Sequence, residues 1–134
     1  MQVVDLNGNI VQWNLKLNNR KIYAQRSKLH LQTRKILTQE FPTLRILEEV
    51  PIKPIQKCTL FLDFYIPLIS LVVEVHGQQH YKYIPHFHTN PQAYSRQQTR
   101  DAQKEQWCQL NKMRFIVFAY NESIETWIHK LHHD

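Results

Sequence analysis

The sequence predicts an α/β sandwich around a mixed sheet, and three observations carry the prediction. Branched and aromatic apolar segments at 45–52, 59–66 and 70–75, punctuated by Pro42, Pro51, Pro54 and Pro67, read as three successive strands. Strands two and three, joined by a tight proline turn, are close enough to pair antiparallel. A helical stretch over 95–111 then leads to a fourth apolar segment at 115–119, enough chain for a right-handed parallel crossover.

Each element has a local signal. Residues 1–17 read as an N-terminal hairpin extension around Asn7-Gly8, a pair suited to a type I′ turn, followed by a basic connection over 18–26. Ser27 caps a helix whose apolar positions are Leu29, Leu31, Ile36, Leu37 and Phe41 and which Pro42 stops. In 59–66, period-two alternation puts Leu60, Leu62, Phe64 and Ile66 on one face and Phe61, Asp63 and Tyr65 on the other. The segment 70–75 is apolar on both sides apart from Glu74, as a central strand is. Residues 76–94 form a long loop rich in histidine and aromatic residues, opening at Gly77; loops of this length mark function or mobility. On the 95–111 helix, Gln103, Trp107 and Leu110 face the sheet, while Asp101, Lys104 and Cys108 line the adjacent edge. A short helix over 123–131 closes the chain, and Trp107 and Trp127 are core residues.

Composition narrows the function classes. At 134 residues the chain is of single-domain size (1–134), able to bury roughly 68% of its unfolded surface without staples. A 43% hydrophobic content with two glycines excludes disorder and collagen-like repetition. No apolar run approaches the roughly 18 residues of a membrane span. The start MQVVDLNGN lacks a basic-then-apolar leader, so the expectation is a cytoplasmic chain with no membrane partner. Cys58 and Cys108 have no CxxC spacing, against both a zinc ribbon and a disulfide scaffold. Seventeen lysines and arginines against 11 acids leave a net +6, which favours a polyanionic partner, nucleic acid above all.

Asp63 and Glu74 are each the lone carboxylate of an apolar run, on strands joined by the Pro67 turn. Such a charge is costly unless paired or metal-bound. Two readings of the residues stand side by side: acids at the core edge satisfied by arginine or lysine, or a site for a hard divalent cation. Mg²⁺, with Mn²⁺ as substitute, binds through one or two carboxylates plus phosphate oxygens. His76, Gln79 and His80 follow Glu74 directly, and Asp101 and Lys104 can approach from the next helix. Histidines 76, 80, 86 and 88 invite a zinc reading, but H-x5-H-x-H fits no common structural zinc pattern. Tyr81, Tyr83, Phe87 and Tyr94 either stack on bases or pack on the sheet. Cys108 reads as a packed thiol, since no base stands beside it.

As an ordered set, LDFYIP, VVEVHGQQHY, RDAQKEQWCQLN and FIVFAY resemble the PD-(D/E)XK nuclease superfamily. They are most similar to its branch of Vsr-like repair and phage-associated EDxHD homing endonucleases. The resemblance covers residues 27–120 and implies a restriction-endonuclease-like αβββαβ core. It implies that Asp63 is the metal-binding aspartate, Glu74 the second acid, and Glu49, ahead of its neighbour Glu48, the upstream metal-binding acid. Gln79-His80 resembles the Q-H element, with His80 as general base or charge stabiliser and Asp101 as the acid on the following helix. Two positions depart from the family pattern. His76 stands where lysine follows the second acid, so that Lys104 offers a displaced positive charge, and His30 stands where the first helix often carries glutamate.

The resemblance therefore implies a Mg²⁺-dependent DNA endonuclease of phage or mobile-element type, serving homing, repair or recombination in the host cytoplasm. Arg26, Lys28, Arg34, Lys35, Tyr81 and Lys82 would contact DNA. One site in so small a domain suits nicking, whereas a double-strand cut needs a symmetric homodimer or two visits. Two alternatives belong to other classes. One is a non-catalytic nucleic-acid-binding module on a nuclease-like scaffold, for which His76 in the lysine position speaks; the other is a nuclease for RNA or branched DNA, because fold does not fix substrate.

Overall fold

A computed structural model describes residues 1–15 and 27–133. The basic connection over 18–26, and Arg26 with it, lies outside the described residues. The chain opens with β1 (Gln2–Val4) and β2 (Ile10–Gln12), continues with α1 (Lys28–Glu40), and then lays down β3 (Leu47–Ile55), β4 (Cys58–Ile66) and β5 (Leu71–His76). α2 (Pro91–Leu110), β6 (Arg114–Ala119) and α3 (Ile124–His132) complete it. The mixed sheet has the order β3-β4-β5-β6, antiparallel across the first two pairs and parallel between β5 and β6. β1 and β2 form a separate antiparallel hairpin. This is the α/β architecture with a mixed sheet and N-terminal hairpin that the pattern predicts.

Two apolar clusters sandwich the sheet. One joins Val50, Leu62 and Val72 to Trp107 and Cys108 of α2 and to Val3 and Trp13 of the hairpin. The other joins Phe64, Leu71, Val73 and Phe118 to Ile36 and Leu37 of α1 and to Trp127 and Leu131 of α3. Among the described residues no helix is long and apolar enough to cross a membrane.

Several local expectations are corrected. The hairpin turn is not type I′: Gly8 alone of the Asn7-Gly8 pair has positive φ, and the Asp5 carboxylate organises the loop by accepting from the Asn7 and Asn9 amides at 2.9 Å. β3 runs through Pro51 and Pro54 instead of ending there, because an edge strand tolerates a missing N–H and the register shifts between Ile52 and Ile55. α2 begins four residues earlier than 95, with Asn90 accepting from the Ala93 amide at 2.9 Å and Pro91 in the first turn. Leu31 and Leu110 point outward; the buried positions of α1 are His30, Thr33, Ile36 and Leu37, and those of α2 are Trp107 and Cys108.

The main correction concerns β4. Leu60 and Leu62 pack in the α2-side cluster with Tyr65, whereas Phe64 and Ile66 pack on the α1 side. The alternation slips once, next to Asp63, so these four apolar residues do not share a face. Opposite that point in register, between the Glu48–Phe64 and Val50–Leu62 pairs, Glu49 adopts a left-handed φ of 52°. A non-glycine residue in that region costs of order 1–3 kcal/mol and persists only where its surroundings impose it.

Asn111, just past α2, fastens the hairpin to the domain. Its amide accepts from the Val4 N–H at 2.8 Å and donates to the Val4 carbonyl at 2.9 Å, as a neighbouring strand would. Asn111→Ala is expected to speed hydrogen exchange at the Val4 amide and lower Tm by about 3–6 °C, the loss of roughly 1 kcal/mol in a domain of this size. Unchanged exchange at Val4 would contradict this clasp.

Candidate functional site

The sheet opens where the two lone carboxylates meet. β4 and β5 pair at Phe64–Val73, Tyr65–Val72 and Ile66–Leu71, and there the ladder stops, although Asp63 and Glu74 are next in register. Side chains replace the missing rungs: the Asp63 N–H donates to Glu74 Oε2 at 2.6 Å, and the Val75 N–H donates to Asp63 Oδ2 at 2.8 Å. β5 meanwhile stays paired with β6 as far as His76–Ala119, so β4 is the strand that leaves. Glu49 faces the same point from β3, which puts Glu49, Asp63 and Glu74 in one row across three strands.

Burying so many acids together has consequences. Glu74 is fully buried, and Lys104 of α2 donates to its Oε1 at 2.7 Å. Loss of solvent raises the Glu74 carboxyl, and Lys104 opposes that shift. Asp63 is pushed up to about 7, first by burial and then by the charge of Glu74, with Glu49 adding to the effect and Lys104 countering it. Both oxygens of Glu74 are thus engaged within the fold, while Asp63 lines two openings. A cavity of about 520 Å³ includes His30, Gly77, Gln79, Phe87 and Tyr120, and a second of about 300 Å³ includes Glu49, Gln97, Arg100 and Asp101. Asp63, His80 and Lys104 line both.

The residues after β5 supply a chain of imidazoles and amides. His80 Nδ1 lies 2.8 Å from Asp101 Oδ2, and His80 Nε2 lies 3.2 Å from Gln97 Nε2. Gln97 Oε1 is 2.9 Å from His88 Nε2, and His88 Nδ1 accepts from the Ile84 amide at 3.0 Å. One set of protons satisfies every link: His80 donates from Nδ1 to Asp101, and Gln97 donates to its Nε2 lone pair. His76 stacks on His80 at 4.1 Å and is buried, with Nε2 lacking a partner among the described residues. Burial, followed by His80, pushes its pKa down to about 4, so it stays neutral near pH 7. Gln79 folds back so that its side-chain oxygen lies 2.5 Å from where a Cβ on Gly77 would sit.

On the α1 side, Glu48 is taken by a second network. Arg34 grips it with two bonds of 2.8 Å and His30 Nε2 lies 2.7 Å from its Oε1, which together hold the carboxyl at about 2 despite burial. Arg34, expected on DNA, is therefore committed to Glu48, while Lys28, Lys35 and Lys82 are exposed. Tyr81 rests on the end of the sheet, its hydroxyl 3.3 Å from His76 Nδ1 and its ring beside His76 and Tyr120, yet it stays 47% exposed, and Tyr83 and Phe87 are 40% and 59% exposed. Cys108 is fully buried and its thiol is pushed far up by burial, as a packed thiol should be. Sequence reasoning missed Gln97 and Arg100 at the site and considered His88 only as a zinc ligand. Gln97 carried a signal, since 97, 101 and 104 follow the i, i+4, i+7 spacing of one helix face.

Among the described residues two groups could hold a metal ion: His30, Glu49 and Asp63, and His76, His80 and Asp101, each with ligand atoms within 4.8 Å of one another. The donors of the first group fit a divalent cation, because it would offset the burial and the neighbouring negative charge that raise Asp63. In the second group the two rings are parallel to within 7°, so their in-plane lone pairs do not converge on one ion, and His80 and Asp101 already satisfy each other.

No family model matches the chain, and no solved structure matches it. Over 71 residues, 52% of the chain, it is 42% identical to uncharacterized protein 307L of Invertebrate iridescent virus 6, covering 36% of that protein. It is 39% identical over 67 residues, 50% of the chain, to uncharacterized protein 033L of Invertebrate iridescent virus 3, covering 34% of it. The chain thus spans about a third of the length of the curated relatives it matches. These relatives come from viruses of invertebrates rather than from phages.

The electrostatics give a stability prediction. Because folding raises the Asp63 carboxyl from 3.8 to about 7, the native state holds that proton more tightly than the unfolded chain. Without metal, stability should therefore fall as pH rises from about 4 through 7. Asp63→Asn should flatten that dependence and raise Tm at pH 8 in EDTA by about 3–6 °C, the effect of roughly 1 kcal/mol. A lower Tm for the variant would show that Asp63 is not electrostatically strained.

Proposed function

We propose that the protein is a metal-dependent nuclease that hydrolyses phosphodiester bonds in DNA. The observation that carries this reading is the row Glu49–Asp63–Glu74 at the parting of β4 and β5, with Lys104 and the His80–Asp101 pair on the same two openings. A plain core-edge ion pair accounts for Glu74 and Lys104 but not for Asp63, whose carboxyl is pushed up to about 7 with no cation bonded to it among the described residues. Asp63 and Glu49 would hold a divalent ion, which in such enzymes activates water and neutralises charge developing on the phosphate.

The chain's own groups have separable roles. Glu74 fixes the Lys104 ammonium between the two cavities, where it can meet a phosphate oxygen. Asp101 holds the Nδ1 proton of His80, which leaves Nε2 to take a proton from the attacking water. Gln97 covers that nitrogen at 3.2 Å, a contact long enough for a water to displace. Arg100 adds charge at the second opening, Lys28, Lys35 and Lys82 are exposed, and the net +6 suits a polyanion. A single set of these groups among the described residues makes the nick the natural product.

Incubation with supercoiled plasmid tests the reading. With Mg²⁺ or Mn²⁺ but not EDTA, nicked or linear product is expected, and Asp63→Ala should abolish it. Lys104→Ala should slow cutting by about 10²–10³-fold and His80→Ala by about 10²–10⁴-fold. Salt-sensitive plasmid binding with no metal-dependent product would instead favour a non-catalytic binding module. Preference for RNA or junction substrates in the same assay would move the substrate class.

A further inference from the structure

We propose that His30 is a ligand of the ion at Glu49 and Asp63 and makes the site selective for a first-row transition ion such as Mn²⁺ over Mg²⁺. The inference rests on the metal-dependent reading above and adds the identity of the ion. A ring nitrogen of His30 and carboxylate oxygens of Glu49 and Asp63 lie within 4.8 Å of one another, close enough for small side-chain rotations to bring all three onto one ion. His30 is buried, stacked on Phe64 at 4.5 Å, and cannot swing to solvent.

The surroundings of His30 are those of a metal-bound imidazole. Its Nε2 lies 2.7 Å from Glu48 Oε1, and Glu48 is already matched by the two-pronged grip of Arg34. Glu48, already gripped by Arg34, is an acceptor for the His30 Nε2–H. With Nε2 donating to Glu48, Nδ1 would keep its lone pair for the ion, as in carboxylate–histidine–metal sequences. His30 and Arg34 are one helical turn apart on α1, so the helix presents both to Glu48 while β3 presents Glu49 beside it.

Ligand chemistry then sets the ion. Carboxylates and water alone suit Mg²⁺, whereas an imidazole nitrogen is a poor partner for that hard ion and a good one for first-row transition ions. Two oxygens and one nitrogen keep the site open to phosphate oxygens while shifting its preference to Mn²⁺ and its neighbours in the series.

Binding can be read without turnover. Titration of the metal-free protein with Mn²⁺, followed by loss of the free-ion EPR signal and competed with Mg²⁺, is expected to show Mn²⁺ held at least about 10-fold more tightly. Pulsed EPR of the Mn²⁺-loaded protein should show nitrogen coupling. His30→Gln, which can still donate to Glu48, should lose that coupling and about 10–100-fold in Mn²⁺ affinity while Mg²⁺ binding changes little. Nitrogen coupling and Mn²⁺ affinity retained in His30→Gln would overturn the inference, as would equal affinity of the wild type for the two ions, a result that needs no variant. In either case, binding that is lost in Asp63→Asn leaves the metal-dependent reading standing. A wild-type protein that binds neither ion overturns both.

Discussion

The exchange of backbone for side chain between β4 and β5 governs the geometry of this protein. Asp63 and Glu74 would face each other as an ordinary antiparallel pair, yet each carboxylate instead takes an amide of the opposite strand, Val75 and Asp63 respectively. Charge-assisted bonds of this kind are stronger than the ladder bonds they replace, and they satisfy groups that the interior would otherwise leave unpaired. Satisfying the backbone this way lets the two strands part without orphaned donors. The gap so formed is the cleft, and the same two residues that open it line it or support it. Glu49 on the next strand and Lys104 on α2 are drawn in by the same need, one adding to the local negative charge and the other balancing it.

This arrangement separates structural from chemical duty among residues of one type. Glu74 is spent on the fold and on holding Lys104, Glu48 on Arg34 and His30, and Asp101 on His80. Asp63 carries the least compensated charge, and the left-handed backbone at Glu49 concentrates strain beside it. Strain and unbalanced charge collect where a ligand can relieve them, and a buried core alone would have no use for either.

Much of this was legible in the residues. Isolated carboxylates in apolar runs stand out because burial makes them expensive, so Asp63 and Glu74 identify themselves, and the spacing of strands and crossover helix leads to the mixed sheet. The details at the site were hidden for identifiable reasons. Period-two alternation assumes an unbroken strand, and β4 breaks it beside Asp63, which misassigned the faces of Leu60 and Leu62 relative to Phe64. The prolines of β3 read as boundaries because the sequence does not say that the strand is at an edge. Asn90-Pro91 is a cap signal that the aromatic character of the preceding loop obscured. His30 lies among the apolar positions of α1, and its bond to Glu48 emerges only once β3 is brought beneath it. The choice between Glu48 and Glu49 depends on Arg34, whose reach cannot be read from spacing along the chain.

The most direct test of the account is the anomalous difference density of a crystal grown with Mn²⁺. The account predicts one strong peak within bonding distance of Asp63 and Glu49, at the parting of β4 and β5, with Lys104 still on Glu74. Density that instead places the ion between His76, His80 and Asp101, or an ordered Asp63 with no ion beside it, would contradict the account.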